Sequence, residues 1–219
     1  LHATSAITAN VLDVGYDAHL TSDSTLTVAH NISVLAEASI VAQGNIVATA
    51  GLVTLHRSSS VRSRGGSVTA ALNIAVSDES QLTSGAAVTA GQSILVNTAS
   101  GIEAQTDITA SAGELYVHAS SNVTSVAGAA LGHTSGLIQS MSFISTALNV
   151  TATVESLVVE GGSKFSMDSA QAGKNVTFRG GSALAQASFN VMAPYLSNEA
   201  CVRSGSSLCV SGVAPALIP

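Results

Sequence analysis

Asp17, Glu37, Arg57 and the Asp78-Glu79 pair recur along the chain at intervals of 20, 20 and 21 residues. Acids interleaved with a cation at a fixed period could do two things. Converging carboxylates could ligate Ca²⁺, which takes 6 to 8 oxygens, or cleave a glycoside, which needs two placed carboxyl groups. Alternatively the row is a ladder of solvated ion pairs with Arg57 between Glu37 and Asp78 or Glu79, each pair contributing roughly 0.2 to 1 kcal/mol. The remaining acids of the first half, Asp13, Asp23, Glu103 and Asp107, are spread out. His2, His19, His30, His56, His118 and His133 show no metal-ligand spacing and read as turn or surface residues. No catalytic, cofactor-binding or metal-binding set is therefore expected.

Four N-x-S/T sequons begin at Asn31, Asn122, Asn149 and Asn175. In each, the residue after Asn is apolar, so on a strand Asn and the hydroxyl residue would share the solvent face and be open to a glycan. Ordinary polar strand positions are the alternative. Cys201 and Cys209 are an even pair suited to one disulfide in an oxidising compartment, with two buried free thiols as the other possibility.

The elements that would position these residues follow a repeat. The central apolar residues Leu20, Ile40, Val61, Leu82, Ile102 and Val123 lie 20 or 21 residues apart. Ile7, Leu26, Ile46, Val68, Val88 and Ile108 form a second series, and Val14, Val34, Leu55, Val76, Val96 and Val117 a third. Each marks a short segment with alternating apolar positions, the pattern of a strand with one buried face. Three strands per 19 to 21 residues, joined by turns too short for helices, predict an all-β chain. It is a single-domain, three-sided parallel β-solenoid of about ten coils stacked at ~4.8 Å.

Alternation assigns the faces. Ile32, Val34, Ile40, Ala42, Ile46 and Ala48 are expected inside; Ser33, Val41 and Val47 outside. One inward column is small throughout: Ser22, Ala42, Ser63, Ser84, Ala104 and Ser125. Residues 1–125 are expected to be regular coils, 126–147 an irregular coil or long turn, and 148–219 a continuation ending in the Pro and Cys cluster. The Gly161-Gly162 and Gly180-Gly181 doublets place Phe165 over Leu184, and four Phe residues in this half suggest a changed cross-section.

The composition fits. Hydrophobic residues are 46% of 219 but aromatics only 3%, so a core of Ala, Val, Ile and Leu in a narrow interior is expected. A net charge of -6 with seven Lys and Arg argues against a nucleic-acid partner. Ser, Thr, Asn and Gly interrupt every apolar stretch before the ~18 residues a membrane helix needs, and the strands are shorter than those of a membrane barrel. There is no initiator Met or signal peptide, and the chain opens in mid-coil, so it is expected to be a processed or excised segment.

These coils resemble the right-handed parallel β-helices of filamentous haemagglutinin, autotransporter passengers and the pectin-lyase-like superfamily. The resemblance covers nearly the whole chain through periodicity and turn chemistry, without a catalytic motif. It implies a surface-exposed or secreted protein. The expected function is an extracellular structural or adhesive rod, or a fibre segment that associates end to end, with cell-surface glycans as a further candidate partner. A polysaccharide lyase or hydrolase is the alternative. Ice binding is a third reading, resting on the outward column Thr27, Val47, Thr69, Thr89 and Thr109, though the next rank (Thr25, Asn45, Ser67, Ala87, Asp107) is mixed.

Overall fold

The computed structural model describes residues 1–166 and, beyond them, the backbone of Ser169–Ala172, Asn175–Phe178, Ala183–Leu184, Asn190–Met192 and Tyr195–Asn198. Side chains are described through residue 163. Three ten-stranded sheets, every pairing parallel, take one strand from each coil in turn. Sheet A begins with His2–Ala3, sheet B with Ile7–Ala9 and sheet C with Leu12–Val14. The architecture is a three-sided β-solenoid with about 21 residues per coil. No helix among the described residues is long and apolar enough to cross a membrane.

Each strand is three or four residues long in most coils because the inward face holds only two side chains before the next corner. Along sheet A, Ile40, Val61, Leu82, Ile102 and Val123 stack in register and are all at most 1% exposed. Ile46, Val68, Val88 and Ile108 do the same on sheet B, and Leu55, Val76, Val96 and Val117 on sheet C. Burying such a side chain contributes about 1.5 to 3 kcal/mol, and the columns make that burial continuous along the axis. The small second columns, Ala48, Ala70, Ala90 and Ala110 on sheet B, let the three sheets meet without room for aromatic rings.

Residues 126–147 depart from the expected irregular turn. Ala130–Gly132, Gly136–Ile138 and Phe143–Thr146 are strands in register with the coils on both sides. The inward positions Ala130, Gly132 and Gly136 are buried, but their side chains are too small to give the apolar contrast that marks a strand in sequence. Phe143 does not widen the core. It occupies the outward column above Asn122. The predicted pairing of Phe165 with Leu184 is present in the backbone register.

Two further columns of buried polar residues run inside the corners. Ser63 Oγ donates to the Gly44 carbonyl one coil below at 2.8 Å and accepts the Gly66 N–H at 3.1 Å. Ser125 repeats this with Thr106 and Gly128. At the corner between sheets C and A, Ser59, Ser80, Ser100, Ser121, Ser142 and Ser163 are each at most 1% exposed. No buried side-chain nitrogen or oxygen among the described residues lacks a partner, as burial of polar groups requires.

Candidate functional site

The corner between sheets C and A gathers most of the chemistry-bearing residues. Among the described residues each coil turns it with two consecutive residues at positive φ: Tyr16-Asp17, Ala36-Glu37, Arg57-Ser58, Asp78-Glu79, Thr98-Ala99, Ala119-Ser120, Ser140-Met141 and Gly161-Gly162. The left-handed conformation costs an L-residue roughly 1–2 kcal/mol, yet only the last pair is glycine. What holds it is a ladder of backbone hydrogen bonds. The N–H of each second residue donates to the carbonyl of the first residue one coil on: Asp17 to Ala36, Glu37 to Arg57, Ser58 to Asp78 and Glu79 to Thr98, continuing to Met141 and Gly161, all at 2.7 to 3.0 Å.

This ladder fixes the predicted charged row. Asp17, Glu37 and Glu79 occupy the second position of the pair; Arg57 and Asp78 occupy the first. Arg57 is thus flanked in its own column by Ala36 and Asp78, with Glu37 on the diagonal. Histidines pair with acids instead: His56 Nδ1 lies 3.6 Å from Asp78 Oδ2, and His2 Nε2 lies 3.4 Å from Asp23 Oδ2. Arg57 lines a shallow open cleft with Leu35, His56 and Asp78.

Ser77, His56 and Asp78 have the residue types of a nucleophilic triad. Ser77 Oγ hydrogen-bonds His56 Nδ1, and Asp78 approaches the same nitrogen. A working relay places the nucleophile and the orienting acid on different ring nitrogens, so this arrangement does not activate the serine.

His56 and Ser77 belong to a polar column that sequence reasoning missed. One residue before each left-handed pair after the second stand His56, Ser77, Asn97, His118, Gln139 and Glu160, a 20- to 21-residue spacing visible in the sequence, with Gly15 and Leu35 in the two earlier coils. His118 Nδ1 meets Asn97 Oδ1 at 3.2 Å while its Nε2 meets Ser140 Oγ at 3.0 Å. Tyr116 stacks on the His118 ring at 5.7 Å between centroids and donates its hydroxyl to Gln139 Oε1 at 3.4 Å. Gln139 Nε2 donates to Glu160. Side chains of successive coils are thereby tied together along the edge of sheet C.

The sequon asparagines lie on different faces. Asn31 is exposed at the corner between sheets B and C, where its Oδ1 accepts the Leu52 N–H at 3.2 Å. Asn122 is exposed on sheet A, and Asn149 is half-buried at the start of its strand. Ile32, Val123 and Val150 point into the core as expected. Asn175 begins the strand Asn175–Phe178, and its side chain lies outside the described residues, as do Cys201 and Cys209. The outward threonine column of sheet B is in register, Thr8, Thr27, Val47, Thr69, Thr89, Thr109, and then reaches Leu131. Among the described residues no three His, Cys, Asp or Glu are grouped to hold a metal ion.

No family model, curated protein or solved structure matches this chain.

Proposed function

We propose that this protein is an extracellular structural or adhesive β-solenoid, forming a rod or a segment of a surface fibre. The observation that supports this most is how few of the described residues are spent on anything but the repeat. Through Lys164, no turn between successive strands is longer than four residues, as in residues 15–18 between Val14 and His19. Binding and catalytic sites are disproportionately built on loops carried by a rigid scaffold, and here the scaffold takes nearly every residue. Its hydrogen bonds run along the axis in all three sheets, and the corner ladders and side-chain columns run the same way. Such a body resists bending and extension.

Every pairing between coils is parallel in all three sheets, so a further coil, from this chain or another, can stack by the same rule. End-to-end stacking of coils is the way such a fibre would be extended, since exposed strand edges recruit other strands. Electron microscopy of the full chain tests the reading. Rods of a single narrow width, or filaments of that width, are expected; compact particles with no long axis would overturn it.

A further inference from the structure

Sheet C changes character along the rod. Its central outward residues, stacked in strict register, are Asp13, Ser33 and Thr54 in the first coils and then Ala75, Leu95, Tyr116, Leu137 and Val158. In the same coils the corresponding residues are Glu103, Thr124 and Ser145 on sheet A and Thr109, Leu131 and Thr151 on sheet B. A continuous apolar run, from Leu95 to Val158, therefore lies on sheet C alone of the three faces, Leu131 being a single interruption on sheet B. It is rimmed on one side by Asn97, His118, Gln139 and Glu160, and on the other by Ser93, Glu114, Ser135 and Ser156. Apolar surface framed by polar residues marks an interaction site.

We propose that this stripe binds a second copy of the chain, face to face and antiparallel, about a two-fold axis lying along the strand direction between the coils of Tyr116 and Leu137. The rims select this occupant and this orientation. The two-fold sets each rim against its own reverse, so Glu160 meets Asn97 of the second copy and Glu114 meets its Ser135. Asn97 Oδ1 already accepts from His118 Nδ1 and from the Thr98 N–H, at 3.2 and 2.8 Å, so its oxygen is engaged and its amide N–H groups are what it can offer a carboxylate. Ser135 Oγ already donates to a carboxylate, Glu114 Oε2, at 3.3 Å within one chain. Glu160 thus meets a neutral amide, Glu114 meets a neutral hydroxyl whose proton is already shared with the Glu114 of its own chain, and no like charges face each other. The apolar residues also pair by size, Tyr116 against Leu137 and Leu95 against Val158.

The alternative parallel arrangement puts Glu114 against His118, whose two ring nitrogens are already engaged by Asn97 and Ser140. A small isologous patch of this kind is self-complementary, as two-fold interfaces must be.

The stripe and its rims span about 19 Å along the axis and about 16 Å across, from the coil and residue spacings. That is roughly 600 Å² in total for the pair, below the ~1,000 Å² of a stable interface. The association is therefore weak for one pair of rods and adds up along neighbouring rods in a fibre. It is lateral, and so independent of extension at the rod ends.

Sedimentation equilibrium of the full chain under reducing conditions, across a wide concentration range, tests this. The weight-average mass should rise from 21.7 kDa toward twice that value. Leu137→Lys should weaken association at least tenfold, and Leu95→Lys provides the same test if the first variant folds poorly. Thr89→Lys, on the outward column of sheet B, should leave it unchanged. Asn97→Asp keeps the acceptor oxygen but sets a carboxylate against Glu160, and should weaken pairing several-fold only if the rods are antiparallel. A wild-type mass that stays at the monomer value, or association unaffected by Leu137→Lys, overturns the proposal; the latter would place the contact at the rod ends. An unaltered Asn97→Asp overturns the orientation. Neither result alters the test by microscopy.

Discussion

Ser80 Oγ lies 3.2 Å from the backbone nitrogen of Ser59 and 3.3 Å from its Oγ, although the two residues are 21 positions apart in the chain. Ser59 Oγ in turn donates to the Val34 carbonyl at 2.8 Å. A buried polar column thus carries hydrogen bonds from coil to coil just inside the left-handed corner. Ala38 fills the equivalent position in an earlier coil and is equally buried, so alanine fits this column sterically. Ser80→Ala should then cost about 1–3 kcal/mol through the donor left without its acceptor, not through a cavity. Urea denaturation monitored by circular dichroism would measure it, and a loss under a few tenths of a kcal/mol would mean the Ser59 N–H finds another partner.

The corner itself should be improvable. Thr98 has a φ of 54°, and a β-branched residue is a poor occupant of the left-handed region. Asn tolerates that conformation far better. Thr98→Asn should raise stability by about 0.5–1 kcal/mol while leaving the Glu79 N–H bond to its carbonyl in place. A lowered melting temperature would show that the threonine makes a compensating contact.

Two glycines should respond very differently to the same substitution. A Cβ on Gly91 would lie 2.0 Å from the carbonyl oxygen of Ala71, a rigid backbone atom, whereas one on Gly101 would meet the side-chain ends of Gln81 and Asn122. Side chains can swing aside; a backbone carbonyl in a sheet corner cannot. Gly91→Ala should cost about 1–3 kcal/mol or more, in the range of an overpacked core, and Gly101→Ala under about 1 kcal/mol. Equal effects in thermal melts would mean that the corner relaxes more freely than its packing implies.

If the protein passes through a glycosylating secretory route, exposure should decide sequon use. Asn31 and Asn122 are exposed and Asn149 is half-buried, so the first two should carry glycan at higher occupancy. Mass spectrometry before and after glycosidase treatment, with Asn31→Gln and Asn122→Gln as controls, would read this directly. Predominant occupancy at Asn149 would contradict it.

How much of this was legible in the sequence depended on the contrast between inward and outward residues. Ile102 over Leu82 could be read because a large apolar side chain alternates with polar ones. Ala130, Gly132 and Gly136 could not, because buried small residues look like a turn. The buried serines at 59, 80, 100 and 121 keep the period, but a serine is ordinarily assigned to the surface, so its capping role is apparent only once the corner carbonyls are located. The charged row was read in the correct corner, with Asp78 beside Arg57, but Glu37 lies one column over from Arg57, since a shift of one position inside a two-residue turn changes neither the spacing nor the composition. Left-handed pairs such as Tyr16-Asp17 have no signature in residue type at all; they are imposed by the stacking of coils.

That stacked corner also gives the rod a direction. The peptide between the two residues of each pair has its N–H toward the following coil and its carbonyl toward the preceding one, and seven bonds join eight such peptides in line. Each peptide unit carries a dipole of about 3.5 D, and here they add along the axis instead of cancelling. The N-terminal end of this column is electrically negative and the other end positive. Two rods meeting head to tail would continue the column, whereas two meeting head to head would set like poles together, so within any one row of rods joined end to end the backbone favours a single direction.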